Sequence, residues 1–201
     1  MAYKRKEELV NSIIRQKGGS CQCVATKHVF ELKYFKKYGK KLDLDYYKFY
    51  KRLAEVYTRG DHEKMRFVID LLQSEGMYCK KNKKYYKIKK GKLYYSYRNR
   101  YMIGRNPFTT IMKGEPLILD CAWRAKRLSE IGENGNINNY YRMVHHAMAG
   151  ICGDKHHIDV IWVANSHGVK AKGTDKGWFK FERKDDNKYF PLIYEAYKIF
   201  I

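Results

Sequence analysis

The sequence predicts an α+β protein, with helices gathered in the first part of the chain and strands in the rest. Three observations carry this. Apolar residues recur at helical spacing between Cys23 and Gly76. Compact apolar runs suited to strands follow after Pro116. Glycines punctuate the predicted elements at Gly39, Gly76 and Gly114. A run of helices followed by a run of strands gives segregated layers rather than alternating βαβ units. The length of 201 residues suits one domain, 1–201, with approximately 16–78 as a helical lobe and 79–201 as a mainly β-rich lobe.

The elements follow in order. Residues 9–16 form a short apolar lead-in that packs as an arm before the Gly18-Gly19 loop. The first helix runs from Cys23 to about Tyr38, with Val24, His28, Phe30, Leu32, Tyr34 and Phe35 suited to burial. Asp43 or Asp45 caps a second helix reaching Thr58, whose apolar set includes Tyr46, Phe49, Tyr50, Leu53 and Val56. Gly60-Asp61 breaks the chain and caps a third helix over about 62–75, with Met65, Val68 and Leu72 in one stripe and Gly76 at its end. Residues 79–101 alternate lysine with tyrosine in two runs separated by Gly91, the pattern of a basic hairpin. A short helix over 108–112 closes at Gly114, and Pro116–Cys121 reads as a buried strand. Residues 124–140, with Gly132, Gly135 and several asparagines, read as a loop. Three further strands are expected at 141–151, 158–164 and 177–183.

Lys plus Arg number 42 against 21 Asp plus Glu, a net charge of +21. A surface so basic attracts polyanions or acidic proteins. The interleaved lysines and tyrosines of 79–101 suit phosphate contact and base stacking; the same pattern also suits a strand pair with one solvated face. No apolar run approaches the ~20 residues of a membrane span, and the charged start, Met1 to Glu8, lacks the apolar segment of a signal peptide. Five cysteines, an odd number, are expected to be mostly reduced in an intracellular protein. Cys21 and Cys23 are one residue apart, not at C-x2-C spacing. A zinc site built from Cys21, Cys23, Cys152 and a histidine is therefore the weaker reading, and no cofactor is expected.

The stretch Gly18-Gly19-Ser20-Cys21-Gln22-Cys23-Val24-Ala25-Thr26 is a small-residue loop entering a helix with a thiol at the junction. Unpaired N–H groups and the helix dipole there favour a thiolate. Cys23 is taken as the nucleophile. Two late stretches offer partners. In Val144-His145-His146-Ala147-Met148-Ala149-Gly150, a histidine enters a run of small residues that lets a helix approach. Adjacent His145 and His146 face opposite sides of a strand, and the Ala-Met-Ala run favours His146. In Asn165-Ser166-His167-Gly168, a polar turn ends a strand.

These stretches resemble the papain-like, cathepsin-type cysteine peptidases. Gly19-Ser20-Cys21-Gln22-Cys23-Val24-Ala25 resembles the family's nucleophile loop, and His146-Ala147-Met148-Ala149 its His-Ala-hydrophobic strand. Asn165-Ser166-His167-Gly168 is similar to its Asn-Ser-Trp-Gly turn, and Gly177-Trp178-Phe179 to the strand after it. Phe67–Met77 and Met112–Leu117 are similar to the stretches between. The order Cys, His, Asn fits, with the cysteine-to-histidine separation slightly below the family's ~130–150 residues. The resemblance implies a two-lobed fold with the active-site cleft between the lobes, and a protein or peptide substrate. It implies Cys23 as attacking thiolate, His146 as its acid–base partner and Asn165 as the group that orients the imidazole. It also implies a glutamine at the oxyanion site. Lys17 falls on the family offset and Gln16 one residue further out, so Gln16 takes the role if the loop has lost or gained a residue. Val24 and His167 stand where the family has tryptophans.

Overall fold

The structure, a computed structural model, describes residues 13–57, 64–96, 106–124, 143–154, 157, 160–170, 176–184, 188–190 and 192–201. Its first helix, α1 (Cys21–Tyr38), starts two residues before the expected position, with Ser20 as N-cap. Lys36 and Lys37 lie in its last turn, where cations suit the dipole. Gly39 closes it with φ 66°, its N–H bonded to the Phe35 carbonyl. Most of α1 down to Leu32 is buried, so the helix is wrapped rather than one-sided. Its buried polar groups are paired in part: Lys27 Nζ lies 2.5 Å from Glu31 Oε1, and the Leu44 N–H donates to that same oxygen at 2.7 Å. This bond ties the 42–44 segment to the helix.

Helix α2 (Tyr46–Val56) is capped by Asp45, whose carboxylate accepts from the Tyr47 and Lys48 amides. Its buried anchors are Phe49 and Leu53. Helix α3 (Met65–Ser74) buries Met65, Val68, Ile69, Leu71 and Leu72. Its N-cap is Lys64; the expected cap, Asp61, lies outside the described residues. Helix α4 (Pro107–Met112) has Asn106 as N-cap and proline in its first turn.

The lysine–tyrosine segment does not form the hairpin expected of it. Strand β1 (Met77–Cys79) pairs with β2 (Lys84–Tyr86) in a small two-stranded sheet, so the turn precedes the expected Gly91. The second run becomes β3 (Lys90–Ser96), which pairs with the last strand of the chain. Gly91 lies within β3 because α3 packs there: a Cβ at Gly91 would come within 2.5 Å of Ile69.

The remaining strands are β4 (Leu117–Arg124), β5 (Met143–Gly153), β6 (Val160–Ala164), β7 (Trp178–Lys184), β8 (Lys188–Phe190) and β9 (Leu192–Phe200). With β3 they form a seven-stranded antiparallel sheet in the order β3-β9-β4-β5-β6-β7-β8. Strands β4 to β7 match the sequence expectations; β8 and β9 were not anticipated. The expected 124–140 loop lies outside the described residues beyond Arg124.

Each face of this sheet carries a core. Ile118, Ala147, Ala149, Ile151, Ala164 and Trp178 pack in the cluster that holds the buried faces of α1 to α3. Leu117, Leu119, Met148, Ile161, Val163 and Phe181 pack in a second cluster with Phe108 and Ile111 of α4. The alternation along β4, Leu117 and Leu119 in one cluster and Ile118 in the other, is the two-residue period of a strand buried on both sides. The three alanines that share a cluster with α1 leave room for the helix to lie close. Among the described residues no helix is long and apolar enough to cross a membrane.

His28, on α1, is buried with neither ring nitrogen hydrogen-bonded among the described residues. Burial, then the charge of Lys27, lowers its pKa to about 3. The unfolded chain therefore binds a proton near pH 6.5 that the folded chain refuses until near pH 3. Stability contributed by the neutral ring is complete above pH 6.5 and is lost as pH falls through that window, at up to about 1.4 kcal/mol per pH unit. Urea midpoints measured from pH 7 to pH 4 should fall steeply for the native chain and less steeply for His28→Leu; parallel slopes would show that the ring is not the source.

Candidate active site

The first residue of α1 is a cysteine, and it is Cys21. The expected nucleophile, Cys23, sits two residues further in, 1% exposed, within the helix–sheet core. The residue at the loop–helix junction is thus Cys21; both thiols are buried in the same core cluster, Cys21 at 7% and Cys23 at 1% exposure. Ser20 is of a residue type that favours helix starts, but it makes no side-chain cap bond here.

Cys21 lies against β5. The backbone amide of Ala147 acts on its sulfur in the direction that favours the thiolate, as does that of Gln22. The Cys21 Sγ also lies 3.2 Å from Gln22 Oε1. Ala147 directly follows His146, so the sulfur stands next to the histidine-bearing segment of the strand.

His146, 7% exposed, is held through Nε2. Asn165 Oδ1 is 3.4 Å away and Ser166 Oγ 3.2 Å away. Ser166 Oγ donates to Gln16 Oε1, which leaves it to accept from the ring. Both oxygens then accept, which assigns the proton to Nε2 and makes Nδ1 the basic nitrogen. Asn165, fully buried, directly follows β6, and its N–H donates to the Gly177 carbonyl at 3.1 Å. Gly177 has φ 88°, and a Cβ there would meet Ile13 at 2.4 Å. The lead-in thus packs into the turn that carries Asn165, and only glycine fits the crossing. His167 stacks on His146, ring centroids 4.4 Å apart and 8° from parallel, and its backbone bridges Arg15. It covers one face of the imidazole.

Gln16 reaches the same cluster. Its N–H donates to the Ser166 carbonyl at 2.6 Å, but its side-chain Nε2 donates to the Gly18 carbonyl at 2.8 Å. Gln16, His146, Asn165 and the unanticipated Ser166 are therefore drawn into one network. Ser166 was legible only as part of the Asn-Ser motif. Among the described residues, no group of three or more His, Cys, Asp or Glu side chains is arranged to hold a metal ion, and all five cysteines are free thiols.

Burial sets the charge state. It raises the Cys21 thiol above its ordinary value, Asp120 adds to the rise, and the Ala147 and Gln22 amides oppose it. It lowers His146 to about 4, aided by His167 and opposed by Asn165. At neutral pH both groups are uncharged, contrary to the thiolate expected from the helix dipole alone. Burial outweighs the amides. Iodoacetamide alkylation of Cys21 should therefore accelerate with pH through the range 7 to 9; a rate already at its plateau near pH 5 would indicate a preformed thiolate.

No protein-family model matches the chain, and neither does any curated protein sequence. Solved structures do. A cysteine protease of Carica candamarcensis, in complex with E-64, superposes with a TM-score of 0.70 at 15% identity, covering 98% of this chain and 95% of that one. A structure from work on the mite allergens Blo t 1 and Der p 1 gives 0.61 at 15% identity, over 100% and 73% of the two chains. The ragweed pollen cysteine protease Amb a 11, in its proform, gives 0.69 at 14% identity, over 98% and 65%. The chain has the α+β fold of the papain-like cysteine proteases.

Proposed function

We propose that the chain is a cysteine peptidase that hydrolyses peptide bonds through a thioester, with Cys21 as nucleophile, His146 as acid–base group and Asn165 as its orienting partner. One observation carries the reading: the first residue of α1 is a thiol beside the Ala147 amide, next to a histidine whose Nε2 is engaged by Asn165. The fold shared with cysteine proteases supports it.

The chemistry follows from the charge states. The thiol passes its proton to His146 Nδ1 as Sγ attacks the peptide carbonyl. Asn165 Oδ1, on Nε2–H, favours the imidazolium that forms. The oxyanion of the tetrahedral intermediate takes the Cys21 N–H and one carboxamide, together supplying roughly 3–4 kcal/mol. Gln22, beside the sulfur, is an alternative to Gln16, whose amide nitrogen is turned to Gly18. The imidazolium then protonates the leaving amine as the C–N bond breaks. Water, losing a proton to Nδ1, cleaves the thioester and restores the thiol.

A basic docking surface is a second reading, favoured by Lys48 Nζ lying 4.1 Å above the Tyr78 ring and 5.3 Å from the 56%-exposed Tyr85, beside exposed Lys80, Lys83 and Lys84. These lysines and rings suit a single-stranded polyanion.

E-64 should add to Cys21 in the native protein and in Cys23→Ala, and to neither position in Cys21→Ala, as read by peptide mass spectrometry. Adduct on Cys23 would reverse the assignment. Cys21→Ala should also abolish cleavage of a peptide library that Cys23→Ala retains. For the basic surface, affinity for single-stranded DNA should fall linearly on a log–log plot against salt, by about 0.7 per phosphate contacted. Lys83→Glu with Lys84→Glu should flatten that slope; salt-independent binding would remove the reading.

A further inference from the structure

We propose that the end of the molecule around Phe200 docks on an anionic lipid surface, with lysines of α1, β3 and β9 meeting headgroup phosphates and the Phe200 ring entering the apolar boundary beneath them.

Three segments far apart in sequence meet there. Helix α1 closes with Lys36 and Lys37, whose charge suits the negative pole of the helix. Lys90, which opens β3, is the cross-strand partner of Phe200 at the end of β9. The Nζ atoms of Lys33, Lys92 and Lys198 lie 5.8, 5.7 and 5.3 Å from the Phe200 ring centroid. Lys37 Nζ donates to the Ile201 carbonyl at 2.7 Å, which ties the helix end to the strand end.

The charge gathered here is poorly balanced. Glu115 pairs with Lys33, and with Lys198 at 3.5 Å. Among the described residues no carboxylate forms an ion pair with Lys36, Lys90 or Lys92. Burial lowers the pKa of Lys33 and of Lys36; Lys198 lowers the first further and Lys33 the second, against the pull of Glu115. A negatively charged surface relieves such crowding. The helix dipole accounts for Lys36 and Lys37 but not for the lysines brought by β3 and β9.

Apolar groups stand among these cations. Phe200 is 36% exposed, and Ile201 beside it is half-buried. Tyr38, 48% exposed, carries Lys37 Nζ 5.1 Å from its ring centroid. Such a make-up suits an interfacial anchor. Lysines are drawn to anionic headgroups, and amphipathic rings sit at headgroup level. A nucleic acid fits less well, because a base stacking on Phe200 would meet the three ammonium groups that surround that ring. Helix α1 has 18 residues, a length of about 27 Å, with the lysines at one end and Cys21 at the other. A docked surface therefore leaves the candidate active site clear, and docking is independent of the assignment of Cys21.

The test is co-sedimentation of the full chain with vesicles of phosphatidylcholine containing phosphatidylserine, and with vesicles of phosphatidylcholine alone. The chain should sediment with the first and not the second, and added salt should release it. Lys37→Glu with Lys92→Glu should lower the affinity at least about tenfold, each lysine near such a surface contributing about fivefold. Lys48→Glu with Lys51→Glu, the same charge change on α2, should lower it less than about threefold, being screened at that distance. Phe200→Ser should lower it about tenfold, and Phe200→Trp should keep it. Each variant is shown folded by thermal melting, and Cys21→Ala should sediment as the native chain does. Equal binding to both vesicles, equal loss in the two lysine pairs, or undiminished binding by Phe200→Ser would overturn the proposal. Binding of oligothymidylate that weakens in Lys37→Glu with Lys92→Glu, without vesicle binding, would make this face a nucleic-acid site and overturn it likewise.

Discussion

The approach of α1 to the sheet is the contact on which the rest depends. Cys23, Ala25 and Val29 of the helix share one core cluster with Ala147, Ala149 and Ala164 of β5 and β6. Small residues on both sides let helix and sheet lie close, and an added methylene in such a core costs about 1–3 kcal/mol or moves the backbone. That closeness brings the first residue of α1 to the Ala147 amide, and so to the neighbour of His146. The Asn165 turn is held from the opposite side by the lead-in, through Gln16 and the crossing at Gly177. The thiol and the imidazole network thus belong to different layers, brought near one another by the packing of helix on sheet.

The same burial governs the chemistry. It lifts the thiol and depresses the imidazole, so the proton transfer we propose between them would create an ion pair in a site that disfavours isolated charge. The groups that oppose burial are those that would stabilise the pair: the amides of Ala147 and Gln22 on sulfur, and Asn165 on the ring. His167, stacked on His146, shields one ring face but disfavours a second positive charge beside it. A tryptophan would shield without that opposition.

Much of this was legible in the sequence because the signals were local. Strands β4 to β7 read from their apolar runs, and Gly39 and Gly114 read as stops. His146 and Asn165 sat in recognisable small-residue and polar-turn settings. Cys21 and Cys23 differ by two residues at a helix start; both are buried, and Cys21 is the first residue of the helix. The pairing of β3 with β9 joins segments about 100 residues apart, and no local pattern encodes it. The direction of the thiol's shift was misjudged because dipole and amides are local features, whereas burial depends on the whole chain.

Histidine ¹⁵N resonances report most directly on whether Cys21 faces the imidazole. In the native chain near pH 7, His146 should show a protonated Nε2 and an unprotonated Nδ1. The Nδ1 resonance should move in Cys21→Ala and hold still in Cys23→Ala. Movement with Cys23→Ala alone, or a proton resident on Nδ1, would contradict the account.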